Sequence, residues 1–207
     1  MTATSQRTRE RLLHATVELM AEIGVDRVRT RSIAERAGVN PALVHYHFGS
    51  VSALVMEAAQ DALLRTLGPA IEAFQSGTTI PDSIRAILRW IERHGEQAPG
   101  STILAEAMVK ATRNASFRRW ATRASQRFRL VILDRLRAAR DAGELDPKLD
   151  LPATAVLLAA ALDGLLFHYL VDPTLEVMRV AGPLGAMLIG RRRGARRRPR
   201  GRKDGHP

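Results

Sequence analysis

Residues 30–50 read TRSIAERAGVNPALVHYHFGS, and this stretch decides the fold class. Thr30 is placed to cap a short helix through its hydroxyl. Ile33, Ala34 and Ala37 follow at spacings that form one apolar stripe on it. Gly38 ends that helix, because only glycine turns the chain at positive φ without a Cβ clash. Asn40 caps the next helix, and Pro41 takes its first helical position, where a missing N–H costs nothing. Val39, Val44 and Phe48 are expected to face inward, leaving Pro41, Ala42, Leu43, His45 and Tyr46 outward. Two short helices, a three-residue turn with a glycine, and one outward face are the geometry of a helix-turn-helix.

Outward from that stretch, helical period dominates the chain. Leu12, Ala15, Thr16, Leu19, Met20 and Ile23 make one stripe, stopped at Gly24. A helix is expected from about Val51 to Leu67, broken by Gly68-Pro69. Others are expected near Pro81–Gln97, Thr102–Thr112, Phe117–Ala142 and Leu151–Val171, with a last one ending about Ile189. The breaks GTTIPD, APGS and NAS carry turn chemistry. No segment shows the alternation of a strand. The expectation is an all-α chain of about nine helices: a helix-turn-helix DNA-binding unit over 1–50 and a helical body over 51–190. A disordered Arg-rich tail is expected over 191–207.

Within these 207 residues there is no cysteine, which excludes disulfides, thiolate metal sites and a thiol nucleophile. The six histidines form no helical H-x-x-x-H pair and no acidic ligand cluster, so no metal or cofactor is expected. There is no G-x-S-x-G, phosphate loop or dinucleotide fingerprint, so an enzyme is not expected. The first residues, MTATSQRTRERLL, lack the apolar core of a secretory signal, and a cytoplasmic location is expected. Leu151–Val171 has the length of a membrane span, but Asp163 stands near its centre, which favours a buried helix and no membrane partner.

The formal net charge is +11, and the last seventeen residues hold eight Arg and one Lys against one Asp. The rest of the chain is close to balanced. The tail reads either as a solvated appendage or as a sequence-independent phosphate anchor. Arg7, Arg9 and Arg11 read either as an arm that reaches DNA backbone or as ordinary surface, and Arg27, Arg29 and Arg31 flank the first short helix.

The same residues resemble the tetracycline-repressor (TetR) family of bacterial transcription regulators. Thr30, Ile33, Ala34, Ala37, Gly38, Val39, His47, Phe48 and Leu54 match its helix-turn-helix in order and spacing. Asn40 replaces a customary Ser, His45 a Tyr, and Val51 a Lys that meets a DNA phosphate. The resemblance implies DNA contacts from Thr30, Arg31, Asn40, Pro41, Ala42, Leu43, His45, Tyr46, His47 and Ser50. It also implies a repressor of a palindromic operator on double-stranded DNA, working as a homodimer through residues 151–189. A small-molecule ligand would release the operator from a pocket in the middle helices. Trp90, His94, Met108, Trp120 and Phe128 are the candidate lining, with plain core packing as the other reading of each. Asp163 and His168 are read as satisfied pairs or interface hydrogen bonds in an apolar helix, with ligand contact as the other reading. The competing function is a non-specific nucleic-acid or anionic-surface binder driven by the tail.

Overall fold

In the computed structural model, residues 3–95 and 99–189 are described, and they form nine α-helices and no strand. These are α1 (Ala3–Ile23), α2 (Thr30–Ala37), α3 (Ala42–Phe48), α4 (Val51–Ser76), α5 (Ile80–His94), α6 (Pro99–Ala111), α7 (Ala115–Asp141), α8 (Leu151–Val171) and α9 (Ala181–Ile189). Short 3₁₀ turns cover Val25–Arg27 and Val177–Val180. The Arg-rich stretch 191–207 lies outside the described residues, as does the end of the helix expected to reach Gln97.

Local chemistry sets most helix starts. Ser50 Oγ accepts from the Ala53 N–H, and Asn114 Oδ1 from the Ser116 and Phe117 N–H groups. Asp150 Oδ1 accepts from the Ala153 N–H. At α5, Thr79 and Asp82 form a reciprocal capping box. The hydroxyls of Thr79 and Thr78 and the Arg85 guanidinium hold the Asp82 carboxyl well below the usual range.

Four expectations are corrected. The α4 helix runs unbroken through Gly68-Pro69 to Ser76. An interior proline forfeits a backbone bond and crowds the preceding turn, yet Ala70 and Phe74 beyond it are buried in the body core, and tertiary packing outweighs the local cost. The α6 helix spans Pro99–Ala111, so Pro99, Gly100 and Ser101 of the expected break are helical, while Ala98 lies outside the described residues. Proline is well suited to a first helical position. Gly100 lets α6 cross α4 closely, since a Cβ there would lie 2.2 Å from Thr66 Oγ1. Thr30 is the first residue of α2 rather than its cap. Ser32 Oγ instead donates to the Arg29 carbonyl at 2.8 Å and accepts the Arg29 N–H at 3.2 Å. Ile23, at the exposed end of α1, is outside the buried stripe.

Two hydrophobic clusters result. One joins α1, α2, α3 and the first half of α4 to Ile103, Ala107 and Ala111 of α6 and to Phe117 and Ala121 of α7. The other joins the end of α4 to α5, the rest of α7, α8 and the segment after it. Both α4 and α7 therefore belong to both cores. The membrane-length α8 buries Leu151, Leu158, Leu162, Leu166 and Tyr169 against its neighbours, as a core helix does.

Candidate nucleic-acid interface and ligand cavity

The α2–α3 turn is built as its residues dictate. Ile33, Ala34 and Ala37 are buried against α1, and Gly38 adopts φ +61°, the left-handed conformation. Its N–H and that of Val39 close the end of α2 on the Glu35 and Ala34 carbonyls. Asn40 Oδ1 accepts from the Ala42 N–H at 2.8 Å. Val44 is the fully buried residue of α3, with Val39, Leu43 and Phe48 half-buried beside it. Leu43 thus packs on the head core rather than pointing outward. A leucine next to the buried Val44 gains more by covering that core than by facing water.

Pro41, Ala42, His45 and Tyr46 remain exposed and share one face of α3, with Tyr46 78% exposed. His47 is half-buried, with Tyr46 edge-on to it at 5.0 Å and Phe48 on its other side at 6.4 Å. His45 Nδ1 donates to the Gly49 carbonyl at 3.2 Å. Ser50 spends its hydroxyl on the α4 cap, and Arg31 is exposed at the start of α2.

The arginines before α2 divide. Residues 3–11 are helical, so Arg7, Arg9 and Arg11 do not form an extended arm. Arg9 pairs with Glu57 and lies over the Phe48 ring, while Arg11 donates to the Ala37 and Gly38 carbonyls. Both are spent on assembling the head. Arg29 donates to the Asp26 and Val28 carbonyls and Arg36 pairs with Glu18 and Glu22, while Arg7, Arg27 and Arg31 are exposed near α2.

In the body, α4, α5, α6, α7 and α8 enclose an apolar cavity of about 70 Å³. Leu63 and Leu67 of α4, Trp90 of α5, Leu104 and Met108 of α6, Phe128 of α7 and Phe167 of α8 contribute walls. Its polar side chains are Ser125 and Asp163. Burial pushes the Asp163 carboxyl up to about 6, with Arg129 acting in the opposite direction. Among the described residues of one subunit it has no hydrogen bond, so a pairing within the subunit is not formed; His168 is exposed. Met108, Ala121 and Ser125 also border a surface groove between α6 and α7, so the wall there is one side chain thick.

Of the residues proposed from sequence for this pocket, Trp90, Met108 and Phe128 line it and two do not. His94 is exposed, its ring stacked on Trp90 at 5.8 Å. Trp120 packs half-buried on the head core, edge-on to Phe117. Asp163, for which ligand contact is one of two readings, lines it too, and Phe167 joins it. Four positions apart on one helix, they share a face, and a lone carboxylate in an apolar helix is the signal.

The fold and these two sites define a helix-turn-helix DNA-binding protein with a cavity in its helical body. Residues 12–58 match the family described as bacterial regulatory proteins, tetR family, and residues 81–182 match the BetI-type transcriptional repressor C-terminal family. The regulator BetI of Rhizobium meliloti is 30% identical over 158 residues, 76% of this chain and 75% of that one. The regulator UidR of Escherichia coli is 24% identical across 92% of this chain and 95% of its own. A transcriptional regulator from Saccharomonospora viridis, solved in complex with choline, superposes with a TM-score of 0.71 at 21% identity, over 85% of this chain and 92% of that one. The chain belongs to the TetR family, and it is a DNA-binding transcriptional regulator.

Proposed function

We propose that the protein is a cytoplasmic, homodimeric repressor that holds a palindromic operator and releases it when a small organic cation occupies the body cavity. Residues 1–50 are the reading unit and 51–190 the sensing and pairing unit. In this reading the DNA face comprises Pro41, Ala42, His45 and Tyr46, flanked by Thr30, Arg31, His47 and Ser50. Catalysis has no part in it.

One observation carries the ligand class: a single carboxylate, Asp163, shares an apolar cavity with the aromatic rings of Trp90, Phe128 and Phe167. Aromatic faces and one half-buried carboxylate form the chemistry that takes a desolvated organic cation. The choline held by the Saccharomonospora viridis regulator is of that class. A cavity of about 70 Å³ is smaller than the roughly 300–1,000 Å³ of ordinary ligand pockets. The ligand must therefore widen it, and the helices that give way include α4 and α6, which also build the head core. Tighter binding to the widened state is what shifts the population away from the operator-bound form.

A dimer is supported by unpartnered apolar side chains on the last helices. Leu157 is 70% exposed and Met187 80% exposed, with Val156 and Val171 also uncovered. A single helix-turn-helix covers one half-site, and pairing places two about 34–36 Å apart.

The test is titration of choline and larger quaternary ammonium ions into the protein–operator complex. Release by one of them, abolished in Asp163→Asn, is expected. Indifference to every organic cation, with operator binding intact, overturns the ligand class.

A further inference from the structure

The outward face of α3 lacks the side chains that usually read bases. Guanine is read by Arg or Lys at O6 and N7, and adenine by Asn or Gln at N6 and N7. None of these stands among Pro41, Ala42, His45 and Tyr46. Asn40, next to them, has its Oδ1 engaged by the Ala42 N–H, which holds the amide against the helix end. Leu43 turns into the head core, and Arg9 and Arg11 are consumed within the head. The exposed Arg27 and Arg31 lie outside α3.

A recognition helix brings its N-terminal side chains to the base edges in the major groove. Here those are Pro41 and Ala42, two small apolar groups. The apolar group that a base pair presents in that groove is the C5-methyl of thymine. A turn later stands His45, whose Nδ1–H donates to the Gly49 carbonyl. In the neutral ring this leaves Nε2 as an outward acceptor, suited to an exocyclic amine such as adenine N6.

We propose that α3 selects its half-site through thymine methyl groups packed on Pro41 and Ala42, with His45 Nε2 accepting from a neighbouring exocyclic amine. The proposal rests on α3 being the element that enters the major groove, and it makes operator choice depend on one carbon atom per contacted base. Each methyl is then worth about a fourfold change in affinity, the transfer free energy of one such group. Equivalent contacts in two half-sites of a dimer compound to about fifteenfold.

The operator is first selected from random duplex DNA by the full chain. Each thymine of the selected site is then replaced by deoxyuridine, which removes the methyl and leaves base pairing intact. Expected is a weakening of about fourfold at one or two positions in each half-site and less than twofold elsewhere. Ala42→Gly, with folding checked by circular dichroism, is expected to reduce the thymine-over-uracil preference at one of those positions. If every uracil-substituted operator binds within twofold of the parent, methyl readout is overturned while operator recognition stands. If no sequence is enriched in the selection, operator recognition itself fails and the proposal with it.

Discussion

Glu106, in the middle of α6, accepts the backbone N–H of Val25 at 2.7 Å, and so ties the body of the protein to the head at the turn between α1 and α2. Lys110, one helical turn on, pairs with Asp26 of the same turn and lies over Phe117. The opposite edge of α6 presents Leu104 and Met108 to the cavity, while Ile103 and Ala107 sit in the head core. A displacement of α6 by a ligand therefore reaches the head directly, without passing through α4.

Glu106→Ala leaves the Val25 N–H without its charged acceptor. Hydrogen bonds to charged groups contribute about 1.5–3 kcal/mol, and Glu106 is only half-buried, so a destabilisation near the lower end is expected in urea denaturation. The operator affinity of the free protein should change little, while the ligand's effect on it shrinks. Full ligand response in this variant would assign the coupling to α4 alone.

Asp163 makes stability pH-dependent with a definite sign. Its folded value of about 6 lies above the ordinary 3.8, so between those values the folded state holds more protons than the unfolded one. Stability from this group is greatest below pH 3.8 and declines as the pH rises towards 6, about 3 kcal/mol in all. Asp82, Asp172 and Glu22 are lowered and oppose it. The check is therefore the difference between the protein and Asp163→Asn in denaturant titrations from about pH 4.5 to 7.5. The Asn variant should gain relative stability with rising pH, and a flat difference would place Asp163 in contact with water.

The cavity itself is testable by filling it. Ser125→Val replaces a hydroxyl in the thin wall with two methyl groups facing an apolar space. A rise in Tm of a few degrees is expected if the rotamer fits, on the order of 1 kcal/mol for the buried carbon. The ligand response should weaken while operator affinity is unchanged. A lowered Tm would mean the site is already closely packed there.

Leu157→Glu and Met187→Glu place charges on the apolar face of α8 and α9. Both side chains are more than two-thirds exposed in one subunit, so neither change should unfold it. Sedimentation equilibrium is expected to show monomers, with operator affinity falling because a monomer engages one half-site only. Dimers that persist in both variants would move the interface elsewhere.

Removal of residues 191–207 takes away eight arginines. If the tail anchors phosphates, log K against log salt flattens by about 0.9 for each phosphate that the shortened chain leaves unneutralised, with the preferred sequence unchanged. An unaltered slope would leave the tail without a part in binding.

Most of the head is legible in the sequence because its signals are local. Gly38 needs only its own missing Cβ, and Asn40 only an N–H two residues on, so a reading of neighbours predicts them. The α8 start at Asp150 is of the same kind, whereas α7 starts two residues before the expected Phe117, behind its cap Asn114. Where a local signal fails, a distant partner overrules it. Pro69 says break, but Phe74 gains a buried place only if α4 continues. Pro99 and Gly100 say turn, but Gly100 is the position that lets α6 lie on Thr66 of α4.

The sequence by itself determined an all-helical chain, its helix-turn-helix and its kinship with TetR regulators, since periodicity, caps and turn residues act over a few positions. Only the tertiary structure decided which large side chains face a cavity and which fill a core. Trp90 and Trp120 carry the same side chain on amphipathic helices, yet one lines the cavity and the other covers the head. That difference depends on how five helices cross, and the crossing is set by packing between residues far apart in the chain. The same crossing joins Glu106 to Val25, 81 positions away, and no local pattern could have announced it.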